Sequence, residues 1–195
     1  EYNFRTVART ANANTTGGVQ GYDYVADRTA WLGNYIRGSN VLFQNCTFTC
    51  NNADLNGDYA GIVTLGQVGP LRNVTFVNCT FKRNWSTNDA GNYWHGVNGV
   101  KIVQDASDIT ISDCTFEPHS RMSCEIISWG DNEAEKPHRL ALKNCVFEPA
   151  GNQSLSFGST EDSYSLVEGC VFKGYGNHAD MYPYGSACWE ANTTR

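Results

Sequence analysis

Asn73 to Phe81 read Asn-Val-Thr-Phe-Val-Asn-Cys-Thr-Phe, and the chain writes variants of this phrase four more times. They are NVLFQNCTF at 40–48, DITISDCTF at 108–116, RLALKNCVF at 139–147 and YSLVEGCVF at 164–172. The repeated cysteines Cys46, Cys79, Cys114, Cys145 and Cys170 are spaced 33, 35, 31 and 25 residues apart. A unit of that size, recurring along one chain, marks a stacked repeat architecture.

Inside the phrase, apolar and polar residues alternate and β-branched or aromatic side chains dominate, which predicts strand. The alternation restarts after one polar residue: Asn45, Asn78, Asp113, Asn144 or Gly169. Asn, Asp and Gly are the residues that accept left-handed backbone angles. Each unit therefore reads as strand, short corner, strand, with a corner too short to reverse the chain. A third strand is predicted upstream, in Gly61–Leu65, Gly99–Val103, Cys124–Ile127 and Ser154–Phe157, with a fainter one in Asp180–Tyr182. Three strands per unit and no helical period predict an all-β stack. Each strand then pairs in parallel with its counterpart one layer on, about 4.8 Å away. Cysteines and phenylalanines should stack inside, and corner asparagines should bond to one another along the stack.

The NVTFVNCTF-type phrases and the Gly-Ile-Val-Thr-Leu-type strands resemble the right-handed, single-stranded parallel β-helix of the pectate-lyase-like superfamily. The resemblance spans about residues 30 to 185. It implies about five to six coils over 28–195, with 1–27 as an N-terminal cap or lead-in; the missing initiator Met and the repeat-like sequence close to Arg195 lead us to expect a piece of a longer chain. The resemblance also implies a substrate groove along the upstream strand and the variable loop leading into it. The paired-aspartate and Arg-x-Lys signatures of polygalacturonases and the Gly-x-x-Asp-Phe-Ile-Phe-Gly phrase of pectin methylesterases do not occur, so the likeness names a scaffold and no single chemistry.

Composition narrows the partners. A length of 195 residues suits one domain with a sizeable core. A net charge of -6 excludes the basic stripe that nucleic acid requires. No apolar run approaches the roughly 20 residues of a membrane span. With the resemblance, these features imply an extracellular or cell-surface protein, or a phage-tail protein, which would be a trimer.

Of eight cysteines, the five in the phrases read as small buried thiols, and Cys124 reads the same way. Equivalent residues one layer apart seldom have disulfide geometry. Cys50 and Cys188 fall outside the phrases, and their redox state stays open. No Cys-x-x-Cys occurs, which argues against a zinc site. Asn-x-Ser/Thr sequons at Asn14, Asn45, Asn73, Asn78, Asn84, Asn152 and Asn192 arise in several cases from the corner phrase itself.

Candidate chemistry gathers where the repeats stop resembling one another. Trp85, Tyr93 and Trp94, with Tyr175, Asp180 and Tyr182, supply the flat aromatic and polar surface that binds sugar rings; covering the side of the stack is the plainer role. If Val100 and Ile102 point inward, Lys101 points outward, and by the same parity so does Glu125. Lys101 and Glu125 are then neighbours, either an acid/base pair acting on a uronic acid or a weak surface salt bridge. His95 and His178 lie near the same groove as candidate proton carriers. Asp54, Asn56 and Asp58 have the alternating oxygens of a Ca2+ loop, although Leu65 stands where a calcium hand has Glu. Asp131, Glu133 and Glu135 form a second acidic group, and a solvated loop is the plainer reading of both. The expectation is a polysaccharide-recognising module, with lyase or glycoside hydrolase chemistry on acidic glycans. The competing expectation is a non-catalytic structural or adhesin rod.

Overall fold

The computed structural model describes residues 34–36, 38–49, 61–66, 70–82, 98–119, 122–127, 137–150, 154–157, 165–173 and 190–191. All regular structure among them is strand. In chain order these are β1 (Asn34–Ile36), β2 (Val41–Gln44), β3 (Thr47–Phe48), β4 (Gly61–Leu65), β5 (Leu71–Val77), β6 (Thr80–Phe81), β7 (Asn98–Val103) and β8 (Ala106–Ser112). They continue with β9 (Thr115–Phe116), β10 (Cys124–Ile127), β11 (His138–Lys143), β12 (Val146–Phe147), β13 (Leu155–Phe157), β14 (Leu166–Glu168), β15 (Val171–Phe172) and β16 (Glu190–Ala191).

The strands form three sheets. Sheet A runs β1-β4-β7-β10-β13-β16, sheet B runs β2-β5-β8-β11-β14, and sheet C runs β3-β6-β9-β12-β15. Pairing is parallel throughout, and each strand meets its counterpart one layer on. This all-β arrangement of three strands per layer is compatible with a parallel β-helix. The predicted strands 61–65, 99–103, 124–127 and 154–157 appear as β4, β7, β10 and β13. β1 and β16 are two the repeat phrase does not reveal. Asp180–Tyr182 lies outside the described residues.

The register brings equivalent residues into columns. Phe48, Phe81, Phe116, Phe147 and Phe172 stack face to face, with ring centroids 5.3, 4.6, 4.6 and 4.7 Å apart in turn. Phe43 and Phe76 form a second stack at 5.0 Å. Offset ring pairs contribute about 0.5–1.5 kcal/mol each beyond area burial. Val74, Ile109, Ile111, Leu140 and Leu142 fill the space between the sheets, with Cys79, Cys114 and Cys145 beside them.

The corners are left-handed, as the residue types predict. Asn45, Asn78, Asp113, Asn144 and Gly169 have φ of 56°, 51°, 54°, 52° and 64°. Asn78 Nδ2 donates to Asn45 Oδ1 at 2.7 Å, and Asn144 Nδ2 to Asp113 Oδ1 at 3.3 Å. Asp113 has no amide to donate, so no such bond links it to Asn78. At the last corner a side chain on Gly169 would collide with Asn144 Oδ1. A second left-handed column opens the first four phrases: Asn40, Asn73, Asp108 and Arg139, at φ 60°, 57°, 58° and 52°. Asn73 Nδ2 donates to Asn40 Oδ1 at 2.9 Å, while Arg139 grips Asp108 with Nε and Nη2 at 2.6 and 2.7 Å.

The cysteine column is equally regular. Cys46, Cys79, Cys114, Cys124, Cys145 and Cys170 are free thiols, as expected; Cys50 and Cys188 lie outside the described residues. Cys46, Cys79, Cys114, Cys145 and Cys170 each direct Sγ at the carbonyl two residues back, across the corner, at 3.1 to 3.6 Å. Four of these carbonyls, of Val77, Ser112, Lys143 and Glu168, also accept the corner N–H of the neighbouring layer, and a small side chain with a weak donor suits a carbonyl already so engaged.

Candidate functional site

The chemically distinctive groups sit on sheet A. Val63, Val100, Cys124 and Leu155 form one row across it, and Leu65, Ile102 and Ile126 another; all face the core. Between these rows, on the other face by alternation, runs Thr64–Lys101–Glu125–Ser156. Lys101 and Glu125 are register partners, as parity predicts, with Lys101 Nζ 3.3 Å from Glu125 Oε2.

One expectation is corrected here. Lys101 and Glu125 were expected to point into solvent, yet they are 0% and 1% exposed. This face of sheet A is closed: Ile62 and Thr64 on β4 and Lys101 and Val103 on β7 are all buried as well. The pair is therefore an internal one, and the reading of a weak surface salt bridge does not hold. A carboxylate taken from water needs partners. Besides Lys101, Asn98 Nδ2 donates to Glu125 Oε2 at 2.8 Å. Asn98 is held in turn, its Oδ1 accepting from Met122 N–H at 3.2 Å.

A histidine that sequence reasoning missed adjoins this group. His119 follows β9 and is fully buried. A Cβ at Gly99 would come within 2.6 Å of its Nε2, so the missing side chain there makes room for the imidazole. Gly99 precedes Val100 as Ser123 precedes Cys124, and Val100 N–H donates to Ser123 O at 2.9 Å. Gly99 and Ser123 therefore share the face that carries Lys101 and Glu125. Neither ring nitrogen of His119 nor Ser123 Oγ finds a hydrogen-bond partner. Burial, opposed by the Glu117 carboxylate, lowers the imidazole from 6.5 to about 3, so the ring is neutral at pH 7. A neutral ring offers one N–H donor and one acceptor, and Ser123 offers both in one atom.

The remaining sequence candidates are not among the described residues. His95, His178, Trp85, Tyr93, Trp94, Tyr175, Asp180 and Tyr182 lie outside the described residues, as do Asp54, Asn56 and Asp58 and the acidic group 131–135. In chain order 54–58 fall between β3 and β4, 85–95 between β6 and β7, and 175–182 between β15 and β16. His119 falls between β9 and β10, so all of these belong to connections from sheet C to sheet A. Among the described residues no group of three or more His, Cys, Asp or Glu is arranged to hold a metal ion. Nor is any helix there long and apolar enough to cross a membrane. Compared with known proteins, the chain matches no family model, no curated protein and no solved structure.

Proposed function

We propose that the three sheets are the faces of a right-handed parallel β-helix of the pectate-lyase-like kind, and that the chain is a polysaccharide-recognising module of a secreted or surface protein. The observation that carries this reading is the polar group on the closed face of sheet A. Buried donors and acceptors are normally satisfied, whereas His119 and Ser123 hold theirs unused beside Asn98, Lys101 and Glu125. Sugar hydroxyls both donate and accept, and so match a neutral imidazole and a serine. The C-to-A connections add Trp85, Tyr93, Trp94 and Tyr175, whose rings suit pyranose faces. A lyase or hydrolase acting on an acidic glycan would use Glu125 and Lys101 for proton transfer and charge neutralisation. The zero exposure of Lys101 favours a second reading, a non-catalytic rod in which the ion pair only fixes the layers.

Affinity electrophoresis against a panel of acidic and neutral polysaccharides separates the two. Retardation by at least one glycan, weakened in Trp94→Ala and in His119→Ala, supports recognition. Equal mobility of all three proteins on every glycan supports the rod. Absorbance near 235 nm, from the unsaturated product, should appear with an acidic glycan and vanish in Glu125→Gln if the module is a lyase.

A further inference from the structure

The ion pair on sheet A lies beside a carboxamide, and the three side chains make a reactive set. Lys101 Nζ is 3.3 Å from Glu125 Oε2, and Asn98 Nδ2 donates to the same oxygen at 2.8 Å. An amine and an amide therefore meet at one carboxylate oxygen. Asn98 and Lys101 are the first and fourth residues of β7. Alternation alone would put them on opposite faces; the bond to Glu125 shows that the Asn98 side chain turns to the face that carries Lys101. Three strand steps are about 10 Å, a span that a lysine stem and an asparagine side chain cover together. Asn98 Oδ1 accepts from the Met122 backbone N–H at 3.2 Å, which draws electrons from Cγ and marks where a negative oxygen would be held. All three side chains are buried. In a closed site an ion pair can give up its charge by passing a proton from the ammonium to the carboxylate, which leaves a nucleophilic amine. Nucleophile, electrophile, proton carrier and oxyanion donor thus share one closed cluster.

We propose that Lys101 and Asn98 become joined by an intramolecular isopeptide bond, formed within the folded chain with Glu125 as the proton carrier. Glu125 Oε2 takes one proton from Nζ. The amine then attacks Asn98 Cγ, the Nζ–Cγ bond forms, and the carbonyl π pair moves onto Oδ1 under the Met122 N–H. Glu125 hands its proton to Nδ2 and receives the second from Nζ. The pair on Oδ1 returns, the Cγ–Nδ2 bond breaks, and ammonia leaves. The products are one secondary amide, one protonated Glu125 carboxyl and one ammonia, and the step needs no oxidant or reductant. It replaces a buried ion pair with neutral groups, and so removes the desolvation cost of two charges. A linked Lys101 carries no charge for a glycan, so the bond accords with the non-catalytic rod and does not rest on sugar recognition.

The test is intact mass spectrometry of the whole chain after denaturation, with tryptic mapping. The chain should be lighter than its sequence mass by one ammonia, about 17 Da. Trypsin should fail to cut after Lys101, leaving 84–121 as one peptide that carries the loss. Lys101→Arg keeps a cation facing Glu125 but offers no amine, so it should show its full sequence mass and be cut after position 101. Glu125→Gln, close in shape, should also keep its full mass and covers the case in which Lys101→Arg does not fold. A succinimide at Asn98 and Gly99 would lose ammonia too, but it leaves Lys101 open to trypsin and is cleaved by hydroxylamine. Full sequence mass in the folded, unaltered chain, ordinary cleavage after Lys101, or a loss of ammonia that persists in Lys101→Arg or Glu125→Gln would each overturn the proposal.

Discussion

Asn78 shows how much one corner residue carries. Its φ of 51° costs a residue without a short polar side chain about 1–2 kcal/mol. Its amide also ties one layer to the one before. Asn78→Ala should therefore lower the urea unfolding free energy by about 1–3 kcal/mol, adding the strain to one net hydrogen bond. Asn78→Gly keeps the backbone and loses only the amide, so it should cost less than Asn78→Ala. The ion pair on sheet A makes a second residue-scale case. Lys101→Met strands the Glu125 carboxylate and should cost about 3–5 kcal/mol, whereas adding Glu125→Leu should restore much of that loss. A double-mutant cycle measured in urea checks both figures, and additive losses would refute the buried pairing.

His119 sets a pH dependence whose sign follows from its depressed folded-state pKa. The unfolded ring takes a proton near 6.5, while the folded one stays neutral down to about 3. Its contribution is thus fully present above 6.5 and is lost as pH falls from there toward 3. The unaltered chain should lose up to about 1.36 kcal/mol per pH unit more than His119→Leu across that window. Parallel stability profiles would show that the ring is not buried neutral. Asp108 is held below the usual carboxylate range, chiefly by hydrogen bonds from Arg139, so its loss falls at lower pH.

At the scale of elements, the stacked columns do the work that long strands do elsewhere. Strands β6, β9 and β12 are two residues each and have little pairing of their own. Their phenylalanines, buried and stacked at 4.6 Å, hold sheet C in register. Phe116→Ala, in the middle of the column, should cost about 3–5 kcal/mol by chemical denaturation. The exterior is arranged by the same register: Lys82 pairs with Glu117 and Lys173 with Glu148, both at 2.6 Å, so the adjacent glutamates each have a lysine on the far side.

These elements also show what a sequence reveals and what it hides. Strand, corner and register were legible because Asn-Cys-Thr-Phe recurs and alternation has a period of two. The second left-handed column was visible as Asn40, Asn73 and Asp108 opening three phrases, but Arg139 in the fourth masked it, since arginine carries no turn signal. The Lys101–Glu125 contact followed from parity. Its burial did not, because nothing in a strand marks whether its outer face is covered by a segment that does not repeat. His119 lies beyond β9, outside the repeated phrase, and a single histidine there has no pattern to expose it.

For the whole molecule, stability is a sum over layers and their interfaces, and the two ends differ. Phe43 and Phe48 in the first layer of sheets B and C are buried, whereas their register counterparts in the last, Val167 and Phe172, are 38% exposed and partly exposed. Amide exchange should accordingly be slowest in β5, β8 and β11 and fastest in β14 and β15. The layers pair in parallel and in register. Couplings transmitted across hydrogen bonds in a long-range HNCO spectrum test this pairing most directly. Correlations are expected from the amides of Thr80, Thr115, Val146 and Val171 to the carbonyls of Cys46, Cys79, Cys114 and Cys145, respectively. Correlations linking β5 to β6, or β8 to β9, as antiparallel neighbours would contradict it.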